Sequence, residues 1–206
     1  MGQTADVRRR TFLLFALTYV VWGGWNWFID RPVHTLDGIL APAEPQQEEI
    51  AGAEPVRLGR WTLTPRASYR ITARVLGVER YQFDALSPLI PEDLALGWGP
   101  MSNNRILLAL EISQGNRFYF WHVRDSLQIS RDVLISHSAN THVIPDGPLV
   151  TRQLSRLRAG QVVTLTGVLV DGRRDDGATI STSMVRTDTG AGSCEVMLVH
   201  ELELLP

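Results

Sequence analysis

The chain contains no lysine; all 20 of its basic residues are arginine. Schiff-base chemistry, a P-loop lysine and a lysine general base are therefore excluded. Cysteine occurs once, at Cys194, so no intramolecular disulfide can form. Long uncharged runs are equally scarce. Thr11 to Ile29 is the single one, which excludes a polytopic helical membrane protein. No internal repeat or low-complexity tract occurs. The 206 residues are 44% hydrophobic and 20% charged, which excludes a disordered chain, a collagen and a coiled coil.

Three compositional regions follow the N-terminus. Residues 1–10 form a flank ending in Arg8-Arg9-Arg10, and residues 11–29 carry no charge. Nineteen residues make a helix of about 28 Å, close to the thickness of a bilayer core. Trp22, Trp25, Trp27 and Phe28 crowd its far end, as in an aromatic belt. The arginines before the span predict a single-pass anchor in a bacterial inner membrane, with the N-terminus cytoplasmic and the rest periplasmic. A cleaved signal peptide is the alternative, but bulky residues stand where its small-residue cleavage site belongs. Residues 30–56 hold four prolines and six acidic residues, and read as an acidic linker. Residues 57–206 carry 16 arginines against 15 carboxylates, a nearly neutral domain long enough for one core.

That domain reads as mainly β. Ser68 to Tyr81 alternates with period two, with Gly77 marking a bulge or bend. Ile106–Ile112 suits a strand or a short helix, Arg117–Val123 an aromatic strand, and Leu127–Ile135 a weaker strand. Pro148 opens a helix through Val150, Leu154 and Leu157, with Gly160 at its end. Gln161–Asp171 alternates again and Asp171-Gly172 signals a turn. Thr179–Val185 and Glu195–Leu204 complete the strands.

A long bent first strand, and a helix leading through Arg158-Ala159-Gly160 into Val163-Thr164-Leu165-Thr166-Gly167, resembles the OB-fold. The resemblance covers about Ser68–Leu204 and implies a small β-barrel with one or two short helices. Phe83–Asn104 fits no standard strand of it and reads as an elaboration.

Three stretches have unusual composition: Gly97-Trp98-Gly99-Pro100-Met101-Ser102, His137 to Pro145, and Arg186 to Glu195. Together they resemble a family of bacterial membrane-anchored proteins with an OB-fold-like soluble domain, a resemblance that implies no activity. Trp98, Met101, Trp121, His137, Asn140 and His142, shaped by Arg186 and Asp188, are the expected binding surface for an envelope protein partner or ligand, or for a second copy of the chain in a homo-oligomer. Trp98 also reads as a ring packed over one end of the barrel. A second reading is a hydrolase in which His137 and His142 act as acid and base, or bind zinc with Cys194. Cys194 itself reads either as a thiol nucleophile with His142 as base or as a small buried residue. Asp188-Thr189-Gly190 resembles the aspartic protease triplet, but too few residues follow for that fold. Single-stranded nucleic acid, stacked on Phe118, Tyr119 and Trp121, is disfavoured because a near-neutral domain releases few counterions. No cofactor is expected on the binding reading.

Overall fold

The computed structural model describes residues 12, 16–21, 23–24, 32–33, 37–124, 127–185, 190 and 192–206. The chain divides into two compact units, Met1–Pro32 and Val33–Pro206. In the first, residues 12, 16–21 and 23–24 are helical. The rest of the expected anchor, including Trp22, Trp25 and Trp27, lies outside the described residues. Among the described residues no helix is long and apolar enough to cross a membrane.

The second unit is mainly β. Its strands are β1 (Gln46–Glu49), β2 (Val56–Leu58), β3 (Trp61–Arg80), β4 (Glu92–Gly97), β5 (Leu110–Gly115), β6 (Phe118–Val123), β7 (Ser138–Pro145), β8 (Val162–Arg174), β9 (Thr179–Ile180) and β10 (Glu195–Leu205). Strand β3 pairs antiparallel with β4, and β4 antiparallel with β7. Strand β7 then runs parallel to β10, which pairs antiparallel with β8. Finally β8 pairs antiparallel with β3, so the order returns to its start. Strand β3 is 20 residues long, which lets it pair with β4 and β8 and also with β1 and β2. The register shifts between Val75 and Gly77, where the expected bulge falls.

Alternation sorts the side chains into two layers. On one face of the ring Tyr69, Ile71, Leu94, Leu96, Val143, Leu165, Met197 and Val199 are buried together. Burying each large aliphatic contributes about 1.5–3 kcal/mol. On the other face lie two smaller clusters. One holds Trp61, Leu63, Ile90, Ile144, Val196 and Leu198; the other holds Leu76, Ala95, Met101, Leu110 and Leu134. The β5–β6 hairpin covers the second, placing Tyr119 and Trp121 against it.

Several expectations need correction. The acidic segment is built into the second unit rather than left as a free tether. Strand β1 pairs with β3, Ala41 is fully buried, and its carbonyl accepts from Gly99 N at 2.7 Å. Phe83–Asn104 contains β4, a central strand, because Leu94 and Leu96 alternate into the core. Leu127–Ile135 contains no strand. Ser130 caps a helix, Arg131–Ser136, by accepting from Val133 N, with Asp132 in its first turn. Asp171-Gly172 is not a turn; β8 continues to Arg174, and the chain reverses at Gly177, where φ is +90°. Of Thr179–Val185 only Thr179–Ile180 pairs. The Pro148 helix ends at Leu154, before Gly160.

Candidate functional site

Strand β7 decides what faces what. Side chains two apart share a face, so Asn140, His142 and Ile144 lie opposite Thr141 and Val143. Pairing sets Asp93 of β4 and Val196 of β10 beside His142. Asn140 pairs with Ala95 of one outer cluster, and His142 stands two residues from Ile144 of the other. A polar group made of Asp93, Asn140, His142 and Cys194 therefore interrupts the apolar covering of this face.

The tip of the β5–β6 hairpin closes over it. Asn116 and Arg117 adopt φ of 52° and 69°, as a two-residue hairpin turn demands. The turn aims Arg117 into the group. Its Nη1 donates to Asp93 Oδ1 at 3.0 Å and to the Ile90 carbonyl at 3.0 Å. Its Nε and Nη2 donate to the two Asp84 oxygens at 2.9 and 2.8 Å. The guanidinium stacks on Tyr81, 3.6 Å from the ring centre. The Arg117 carbonyl accepts from Asn140 Nδ2 at 3.0 Å.

Asp93 is buried, and its Oδ1 also meets His142 Nδ1 at 2.8 Å. Its Oδ2 has no hydrogen-bond partner among the described residues. The Cys194 thiol is directed to the Arg117 carbonyl, 3.9 Å from Sγ. Burial disfavours the charged ring, but the bonds to Asp93 and Cys194 outweigh it and push the imidazole up to about 9. Asn140 Nδ2 also reaches Cys194 Sγ at 3.5 Å. Asp93 and His142 thus form a buried carboxylate–imidazole pair, with Cys194 tied to the same group through Asn140 and the Arg117 carbonyl.

Cys194 lies in the wall of two cavities. The larger, about 420 Å³, is bounded by Phe118, Phe120, Trp121, Arg131, Asn140 and Ser193. The smaller, about 200 Å³, is lined by Leu86, Ile90, Ile180 and Val196 together with Arg117 and His142.

The residues singled out from sequence separate into distinct places. Trp98 and Met101 have no exposed surface, so neither presents a binding face. Trp98 packs in the core and donates through Nε1 to Glu44 at 2.8 Å. Its motif ties the chain together at one end: Ser102 Oγ accepts from Leu40 N and Ala41 N, both at 3.1 Å. Gly99 takes φ +48°, and a Cβ there would stand 2.6 Å from the His137 ring. His137 belongs to that same structural end, with Nδ1 2.8 Å from the Val133 carbonyl and Nε2 3.2 Å from Glu44 Oε1. It does not join His142, because it caps the C-terminus of the Arg131–Ser136 helix, before β7 begins, and its ring nitrogens meet the Val133 carbonyl and Glu44. The set His137, His142 and Cys194 is therefore not assembled. Among the described residues no group of three or more histidine, cysteine or acidic side chains is placed to hold a metal ion.

Trp121 borders the larger cavity, with Arg131 5.0 Å above its ring. Arg186 and Asp188 lie outside the described residues. Asn140, His142 and Cys194 do come together, joined by Asp93 and Arg117, which sequence reasoning passed over. Asp93 stood inside the segment read as an elaboration. Asn116-Arg117 carried a readable turn signal, Gly115-Asn116 between two apolar runs. Comparison with family models, with curated proteins and with solved structures gives no match.

Proposed function

We propose that the chain is a binding module held at a bacterial inner membrane by residues 11–29, with its domain on the periplasmic side. The domain is read as a small OB-fold-like barrel. Two features support that reading. The five-strand pairing is cyclic, and the Pro148–Leu154 helix lies between β7 and β8, where the fold carries its helix. The ligand is a segment of an envelope protein that offers an apolar or aromatic side chain.

The observation that carries the binding reading is the larger cavity. Its volume lies within the range of ligand sites, roughly 300–1,000 Å³. Phe118 and Phe120 stand at its edge 36% and 48% exposed, although side chains of that size normally bury their rings. Aromatic anchors beside a concavity are what a partner side chain packs against. Site-specific cross-linking tests the assignment. A photoreactive benzoylphenylalanine at Phe118 or Phe120, in cells that produce the protein, is expected to trap one discrete envelope protein. The same group at Glu203, which does not line the cavity, is expected to trap none. Equal products at all three positions, or none at Phe118 and Phe120, would count against the binding reading.

A further inference from the structure

We propose that the partner's segment docks as an added β-strand on the open edge of β6 and carries an acidic side chain that pairs with Arg131. The inference rests on the binding reading and states how the same cavity is filled.

The phase of the hairpin ladder fixes which way β6 turns its backbone. Positive φ at Asn116 and Arg117 makes a two-residue turn, so the flanking pair, Gly115 and Phe118, is hydrogen-bonded. The same phase recurs further along, where Arg124 N donates to the Ala109 carbonyl at 2.8 Å. Phe118, Phe120 and His122 therefore turn their backbone groups to β5. Tyr119, Trp121 and Val123 turn theirs outward. Among the described residues no strand meets them, since β6 pairs with β5 alone. Exposed edges are normally blunted by lysine, proline, charge or a bulge. Phe118–Val123 has none of these, and its pairing with β5 runs without a register shift.

The larger cavity lies along that edge. Five consecutive residues, Phe118 to His122, line it. Successive side chains point to opposite faces, so a cavity touching all five lies beside the strand rather than over one face. Its far wall includes Ser138, Ala139 and Asn140 of β7. A segment entering there in extended form aligns about 4.8 Å from β6 and bonds its outward N–H and carbonyl groups. Its alternate side chains cover Phe118 and Phe120 on one face and Val123, 49% exposed, on the other.

Charge identifies the segment further. Arg131 is exposed, borders the cavity, and holds its guanidinium 5.0 Å from the centre of the Trp121 ring. Among the described residues no carboxylate pairs with it. Glu195 also borders the cavity but is buried. An aspartate or glutamate level with Trp121 on the added strand meets the guanidinium, whereas a lysine there is repelled. The occupant is thus an extended segment of about five or six residues, apolar in alternation, with one acid near its middle.

The test pans a phage-displayed library of random peptides against the full chain and measures the best synthetic peptide by fluorescence anisotropy. Enriched peptides are expected to show apolar alternation with an aspartate or glutamate. Arg131→Ala is expected to weaken the best peptide at least about tenfold, as is replacing the peptide's acid by lysine. Val123→Pro deletes one outward N–H and no bond to β5, and is expected to cost at least about tenfold too. N-methylation of one alternating set of peptide amides should abolish binding, while the other set changes it less than about threefold. Failure to enrich any peptide would overturn the proposal. So would binding that ignores Arg131→Ala, or that responds alike to both N-methylated sets. If Val123→Pro fails to fold, the N-methylated peptides decide the strand alone. A peptide that fails these arms while Phe118 and Phe120 still trap a partner overturns strand addition and leaves the binding reading standing. Loss of that cross-link counts against the binding reading itself.

Discussion

Arg117→Ala is expected to destabilise the fold by about 3–5 kcal/mol. Arg117 is the cation on Asp93, a carboxylate with no exposed surface. Truncation leaves that carboxylate beside His142 alone, with its second oxygen still unpartnered. It also removes the two bonds to Asp84 and the stack on Tyr81, so the β5–β6 hairpin loses its hold on the sheet. Most of the loss belongs to the buried carboxylate, which keeps only the His142 ring as a charged partner, because the Asp84 bonds are solvent-exposed and contribute little each. Asp93→Asn in the Arg117→Ala background is therefore expected to recover part of it. Arg117→Lys should recover less, since an ammonium cannot bridge Asp93 and the two Asp84 oxygens together. Urea unfolding followed by circular dichroism checks all three. A cost below about 1 kcal/mol for Arg117→Ala would mean that Asp93 does not need its cation.

Trp98→Ala is expected to cost about 3–5 kcal/mol by the same measurement. The indole is fully buried and packs with Leu94, Leu96 and Val143 on the inner face of the ring. Removing it leaves a hole that the paired strands around it cannot collapse to fill. Glu44 loses its bond to the indole and keeps only His137, which loosens the segment carrying Ala41. Trp98→Phe keeps most of the buried ring and should cost clearly less. An exposed binding anchor would behave differently: its loss would weaken binding and leave stability unchanged within about 0.5 kcal/mol.

The contrast at Trp98 shows where the sequence was legible. Period-two alternation located β3 and β8 because their inward residues, Tyr69, Ile71, Ala73 and Val163, Leu165, Leu169, are all buried in one layer. The bulge at Gly77 was readable from its interruption of that pattern. Strand β4 was not. Both its faces are covered, so Glu92 to Gly97 shows no exposed polar alternation, and two of its six residues are buried acids. The His137–His142 stretch failed for a related reason. Read as a loop, it allowed two histidines to converge; in the fold His137 caps the Arg131–Ser136 helix and His142 sits in β7, each with its own partners. Asn140 and His142 at a spacing of two was the signal for the real cluster, and it required the strand to be recognised first. Cys194 could be paired with His142 on paper as nucleophile and base. Only the parallel pairing of β10 with β7 brings residue 194 alongside that face.

The Asp93–His142 pair also ties folding to pH. The unfolded ring titrates at about 6.5, and the folded ring at about 9. A raised value means the ring's contribution is fully present below about 6.5 and is lost as pH rises through 9. The most direct measurement is a pH titration of the His142 ring nitrogens by NMR. The wild-type midpoint is expected at about 9, and Asp93→Asn should move it down toward the free value of about 6.5. A wild-type midpoint at or below about 6.5 would contradict that pairing, because burial would then prevail over the carboxylate that holds the ring.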